Sequence, residues 1–191
     1  TKERRLLLVL AAIQFNHIVD FMIMMPLGPQ LMRILAISPK EFSLLVSSYT
    51  FSAGIVGFAG AFFLDRFERK RALQIIFAGF LIGTLACAFA PGYSLLMTAR
   101  ILTGAFGGLL GSLILSIIGD AVPLERRSSA MGIVMTAFSI ASVVGVPAGL
   151  FLATHYSWHM PFLSIVFTGL FVQIAISKWV PVMKEHIKMQ P

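Results

Sequence analysis

The chain has 191 residues, is 58% hydrophobic and 12% charged, and carries a mean hydropathy of +0.89 and a net charge of +7. A soluble domain holds about a quarter charged residues; here the charges are halved and gathered at the ends of apolar runs. That excludes a soluble fold and describes a polytopic helical membrane protein. A transmembrane barrel does not fit either, because the runs reach about 20 residues without period-two alternation.

Lys2, Arg4 and Arg5 precede a first span over residues 6–28, which ends in the breaker-rich MMPLGP; residues 30–41 read as an exit loop holding Arg33 and Lys40. A second span covers 42–64. The connection that follows, AFFLDRFERKR, packs Arg66, Arg69, Lys70 and Arg71 behind the acid Asp65. A third span covers 72–90, the tight turn Pro91-Gly92 reverses the chain, and a fourth covers 93–118. A polar loop with Asp120, Glu125, Arg126 and Arg127 leads into a fifth span, 130–153. After THYSWHM a sixth runs over 161–180, so residues 1–180 form one six-helix bundle and 181–191 a basic tail or the start of a linker. No cleavable leader is expected, since the apolar run from Leu6 is too long and lacks a small-residue cleavage site.

Charge placement sets the threading. Lys2, Arg4, Arg5, the four bases of the second connection, Arg126, Arg127, Lys178, Lys184 and Lys188 fall on one side, twelve in all, against Arg33 and Lys40 on the other. Short basic loops stay cytoplasmic, so both termini are expected there. The same placement accounts for the net positive charge without nucleic acid: the bases sit in short loops and form no stripe.

Small residues mark expected helix contacts: Gly54, Gly57, Gly60 and Ala61 in the second span, Gly104, Gly108 and Gly111 in the fourth, Ala141, Gly145 and Gly149 in the fifth. Pro147, which has no backbone donor, is expected to kink or loosen the fifth.

Two ionisable residues lie deep inside spans, Asp20 in the first and Arg100 in the fourth. A charge at mid-bilayer costs at least about 2.5–3.5 kcal/mol, so such groups face the bundle interior or water and find partners. With about 1.5 Å of rise per residue, both fall roughly 12–13 Å below the outer surface. At matched depth an acid and a base can stabilise one another. Asp20 is then either a structural ion-pair or hydrogen-bonding group, or a carboxylate that takes a proton when the pair breaks; Arg100 keeps its charge and tunes its neighbour. Asn16 and His17 lie on the same helical face as Asp20. His17 reads either as part of a relay or as a hydrogen-bonded filler.

No enzyme signature is present: there is no GxSxG, HExxH or CxxC, and the glycines from Gly104 to Gly111 sit inside a membrane helix. With Cys87 the only cysteine, neither a disulfide framework nor a cysteine metal site is available, and no cofactor is expected.

Four segments together resemble the major facilitator superfamily. The loop from Ala61 through Asp65-Arg66 to Arg69-Lys70 is similar to the GxxxDRxGR signature between helices two and three, with Ala61 and Glu68 in place of glycines. Arg100-Ile-Leu-Thr-Gly104 with Gly107-Gly108 resembles RxxxGxGG of helix four. Gly145-Val-Pro147-Ala-Gly149 resembles the GVPxG antiporter motif of helix five, and Trp158-His159-Met160-Pro161-Phe162 the WRxxF that follows it.

The resemblance implies an all-α bundle of six transmembrane helices built as two inverted three-helix repeats. It implies the N-terminal half of a proton-coupled exporter of small molecules such as drugs, sugars or metabolites, in a bacterial inner membrane, with a symporter of the same fold as the alternative. Helices one and four would line the cavity, with Arg100 in proton coupling and the helix-five motif packing against the other bundle. Asp65 would meet a helix N-terminus of that bundle as part of a latch. Arg69 would reach Asp120, and Glu68 would place a second acid beside that network. Alternating access needs two bundles. The partner is therefore expected to be a second six-helix bundle or another copy of this chain, joined through open small-residue faces on helices two and five; a self-associating, non-transporting half-length membrane protein is the other alternative.

Overall fold

The computed structural model describes residues 2–183, apart from the side chain of Ala61; the expected tail from Lys184 onward lies outside the described residues. Seven helices make six spans: α1 (Lys2–Ile34), α2 (Pro39–Phe63), α3 (Arg69–Ala88), α4 (Tyr93–Ala121), α5 (Arg127–Ile140), α6 (Val146–His155) and α7 (Met160–Trp179). A π turn over Ala141–Gly145 makes α5 and α6 one crossing. Six helical stretches among the described residues are long and apolar enough to span a membrane.

The first helix overruns its expected end. MMPLGP does not stop it: Pro26 and Pro29 both lie inside α1, and the exit loop shrinks to a turn. A proline inside a helix costs about 3 kcal/mol, but Met24, Leu27 and Leu31 on this stretch are completely buried, and unwinding it would expose them. Membrane helices also tolerate proline where neighbours cover the freed backbone. Chain reversal falls instead at Ala36, whose φ of 50° is left-handed. The second helix then starts on a capping box, Ser38 accepting from the Glu41 amide while Glu41 accepts from the Ser38 amide, with Pro39 in its first turn.

The helices associate as two interlocked triplets. α4 packs on α2 and α3, whereas α1 packs on the α5–α6 crossing and α7. The first helix of each three-helix repeat thus lies against the second and third helices of the other, which is the two-repeat bundle of six transmembrane helices read from the sequence.

Glycine decides how close these contacts come. A Cβ on Gly108 would collide with the backbone of Ala53, one on Gly104 with the backbone of Tyr49, and one on Gly57 would lie 3.0 Å from the Gly108 carbonyl oxygen, so α2 and α4 touch backbone to backbone. Gly145 and Gly149 lie against Val19 and Ile23 of α1. Of the small-residue faces expected to be open for self-association, Gly57 and Gly60 of helix two and Gly145 and Gly149 of helix five are therefore consumed inside the bundle. Gly54 and Gly111 face open space instead.

Two apolar clusters fill the interior. One gathers Leu10, Ile13, Phe77, Leu113 and Ile117; the other gathers Ile23, Leu27, Leu45, Leu96 and Phe162. Between them, at the level of residues 20, 84, 100 and 103, lie buried polar side chains. Large apolar residues such as Phe51, Phe58 and Val143 point outward.

Candidate functional site

The polar layer is organised around one ion pair. Arg100 Nη1 donates to Asp20 Oδ2 at 2.8 Å, with side-chain exposures of 1% and 0%. The same nitrogen lies 3.4 Å from the Asp20 carbonyl oxygen. Thr84 places its hydroxyl 3.3 Å from Asp20 Oδ1 and 3.0 Å from the Phe80 carbonyl, so its single proton serves one of them at a time. Below the guanidinium lies the ring of Tyr49, its centroid 4.3 Å from Arg100 Cζ, a cation–π contact strengthened by exclusion of water. Thus α1 supplies the acid, α4 the base, α3 a hydroxyl and α2 an aromatic face.

Asp20 and Arg100, at matched depth in the sequence, come together as an ion pair. The structure does not open a cavity onto them, as the resemblance implied: both are sealed in the bundle core. The reason is local crowding, since α4 is pressed onto α2 through Gly104 and Gly108, which carries Tyr49 over the guanidinium.

Neither of the other two members of the expected cluster hydrogen-bonds the pair among the described residues. Asn16 turns toward α7, where its Oδ1 accepts from Thr168 at 2.8 Å and its amide donates to the Ala12 carbonyl at 2.9 Å. Sharing a helical face with Asp20 did not give it the same partner, because α7 lies against one edge of that face and α4 against the other. His17 sits between Tyr49 and Phe80, ring centroids 6.3 Å and 6.0 Å away. Its Nδ1 and the Tyr49 hydroxyl are buried without a hydrogen-bond partner among the described residues. Both His17 Nε2 and the Tyr49 hydroxyl converge on Gly107, where a Cβ would lie 2.8 Å and 2.7 Å from them.

A second polar site closes the end of the bundle that carries the basic loops. Arg69, with 4% of its side chain exposed, donates from Nη2 to Asp65 and from Nε to Asp120, each at 2.8 Å, and from Nη1 to the Leu64 carbonyl at 3.2 Å. Asp120 sits in the last turn of α4, where a negative charge opposes the helix dipole; Arg69 offsets it, and Arg127 donates to the Gly119 and Val122 carbonyls that end the helix. Lys70 Nζ reaches the Ser177 carbonyl of α7 at 2.7 Å, while Arg66 is exposed.

Glu68, next to Arg69 in the chain, caps α3, accepting from the Lys70 and Arg71 amides at 2.8 and 2.9 Å and from the Met183 amide at 3.1 Å.

In the fifth crossing Pro147 stands just beyond the π turn, where Val146 bonds back to Ala141. The loosening expected at Pro147 thus takes the form of a widened turn on its N-terminal side. Gly145 and Gly149 face α1, not outward. His159, in the place of the motif's arginine, still reaches a helix end: its Nδ1 contacts the Ala88 carbonyl, and Trp158 packs on its ring at 3.9 Å.

Sequence reasoning missed Tyr49, Thr84 and the Glu3–Arg126 ion pair at 3.0 Å. A polar aromatic and a threonine within apolar spans were the only signals, and they do not distinguish a partner of a buried charge from a packing residue.

Comparison with known proteins places this geometry in a family. The family model described as Major Facilitator Superfamily matches residues 10–190. The chain is 30% identical over 169 residues to the uncharacterised MFS-type transporter YhcA of Bacillus subtilis, covering 88% of this chain and 32% of that protein. It is 30% identical over 157 residues to the inner membrane transport protein YdhP of Escherichia coli K12, covering 79% and 39%. Its fold matches the proton:xylose symporter XylE with a TM-score of 0.85 at 17% identity, covering 97% of this chain and 46% of that one. A bacterial homologue of the lysosomal transporter Spinster, in an inward-facing conformation, matches at 0.79 and 18%, covering 95% and 43%. The chain therefore spans between about a third and a half of the length of these proteins.

Proposed function

The chain belongs to the major facilitator superfamily, a family of transporters and not of enzymes, and from that premise we propose that it is the N-terminal bundle of a proton-coupled exporter of small molecules. The observation that carries this reading is the sealed Asp20–Arg100 pair. A charge pair costs much to bury and is retained in a membrane bundle where it serves a function. While paired, Asp20 is a carboxylate held by a fixed cation. When α1 and α4 shift apart within this bundle, the carboxylate is free to take a proton, and its return to Arg100 expels that proton. Arg100 never releases its own. Drugs, sugars or metabolites would travel the opposite way.

The helix-five motif of Gly145, Pro147 and Gly149 supports antiport over symport. The Asp65–Arg69–Asp120 array supports a latch: Arg69 holds the loop to the end of α4, and Asp65, 49% exposed, is presented to a helix N-terminus of the second bundle. A second six-helix bundle is the partner this reading requires, reached through a linker that begins after residue 180. Of the glycines through which a homodimer was expected, Gly57 and Gly60 are covered by α4 and Gly145 and Gly149 by α1. Twelve bases on one side support cytoplasmic termini, and the likeness to an inner membrane transport protein of Escherichia coli supports a bacterial inner membrane.

The test is proton flux in proteoliposomes against a panel of substrates, with the chain assembled with its second bundle. Asp20→Asn abolishes substrate-driven proton movement while the protein remains folded, and Arg100→Ala lowers it. Unchanged proton-driven transport in Asp20→Asn refutes the proposal.

A further inference from the structure

The half of the bundle that carries the N-terminus has a groove that neither the ion pair nor the latch uses. There α5 and α7 stand apart and leave a stripe of α1 uncovered, opening a cavity of about 430 Å³ with Leu8, Ala12 and Phe15 as its floor and Ile133, Ile140 and Val172 as its walls. At its deep end the polar groups satisfy one another, Thr168 donating to Asn16 and Asn16 to the Ala12 carbonyl. The Thr136 hydroxyl donates to its own helix at Ile133. A groove with apolar walls and no unmet polar group suits hydrocarbon and rejects a polar solute.

Toward the membrane surface the groove continues, through Leu8 and Ile133, into a second cavity of about 510 Å³ that adds Glu3, Arg4 and Arg126. Arg126 pairs with Glu3 at 3.0 Å yet keeps 60% of its side chain exposed. Arg4 is exposed and makes no ion pair among the described residues. From Arg4 to Asn16 is twelve residues of helix, about 18 Å at 1.5 Å per residue, against roughly 15 Å for half of a bilayer's hydrocarbon core. The groove therefore spans one leaflet, apolar where the lipid tails lie and positive where the phosphates lie.

We propose that this groove holds an anionic glycerophospholipid, one acyl chain lying on α1 between α5 and α7 and the phosphate held by Arg4 and Arg126. Charge complementarity selects the occupant: the mouth carries net positive charge, and basic groups at this level are attracted to acidic lipids. The bound chain fills the gap between α5 and α7 and steadies the crossing that contains the π turn. This inference is independent of what the protein transports.

Native mass spectrometry of the purified protein, exposed to equal amounts of phosphatidylglycerol and phosphatidylcholine, tests it. Wild type retains one phosphatidylglycerol in preference to phosphatidylcholine. Arg4→Ala with Arg126→Ala reduces that preference roughly thirtyfold, whereas Lys178→Ala, in a neighbouring basic hollow that contains neither Arg4 nor Arg126, leaves the preference unchanged. Ala12→Trp fills the floor and removes retention of both lipids; Thr136→Phe fills the groove from α5 and serves if Ala12→Trp fails to fold. Equal retention of the two lipids by wild type, an effect of Lys178→Ala as large as that of the arginine pair, or undiminished retention in the filled variant overturns the proposal. So does a disulfide between two copies of an Ala12→Cys variant, which would assign the groove to a second chain.

Discussion

Replacing Arg100 with methionine leaves Asp20 as a lone carboxylate with no exposed surface, its remaining donor the Thr84 hydroxyl at 3.3 Å. Removing one partner of a buried ion pair costs about 3–5 kcal/mol, because the survivor must stay desolvated without its counter-charge or, as a carboxyl, take up a proton. The contact of the guanidinium with the Tyr49 ring is lost in the same step. Asp20→Asn strands the opposite charge, although Arg100 keeps the Tyr49 face and the Asp20 carbonyl. The double variant Asp20→Asn with Arg100→Met removes both charges at once. Since apolar replacements of buried pairs are often neutral or stabilising, it is expected to recover most of either single loss. Unfolding in detergent, followed by far-UV circular dichroism in a double-mutant cycle, measures the coupling, which is expected to exceed about 2 kcal/mol. If the two single losses add within about 0.5 kcal/mol, the residues are independent. The pair then does not organise the polar layer.

The latch and the helix contact give two further expectations. Exchanging Arg69 and Asp120 leaves Asp65 facing an aspartate at 69, since Arg69 serves both acids; the exchange alone rescues transport only in part, and adding Asp65→Asn improves the rescue, an order that transport assays of the single, double and triple variants would reverse if Arg69 served Asp120 alone. Gly108→Ala sets a methyl into the Ala53 backbone, where no rotamer relieves it, and costs about 1–3 kcal/mol, whereas Gly54→Ala meets open space and leaves detergent stability unchanged; equal effects of the two substitutions would refute backbone contact between α2 and α4.

The family and the six crossings were legible because the bilayer constrains sequence so strongly: apolar length fixes each span, and charge clusters mark the loops between them. The opposition of Asp20 and Arg100 was legible for a related reason. A buried charge needs a counter-charge at its own depth, and depth can be counted along a helix. Sequence by itself could not say which side of α1 each residue would face. Asn16 and Asp20 are one turn apart, yet one meets α7 and the other α4, because rotation of a helix is set by what packs around it. The same limit applies to the glycines. Gly54, Gly57 and Gly60 share a spacing, but only the approach of α4 decided that Gly57 touches backbone while Gly54 faces open space. It applies as well to MMPLGP, a helix end by local rule, which tertiary burial of Met24, Leu27 and Leu31 carried through as helix. Local chemistry determined what could cross the membrane and where charge had to be answered; the packing of α1 and α4 decided which neighbours answered it.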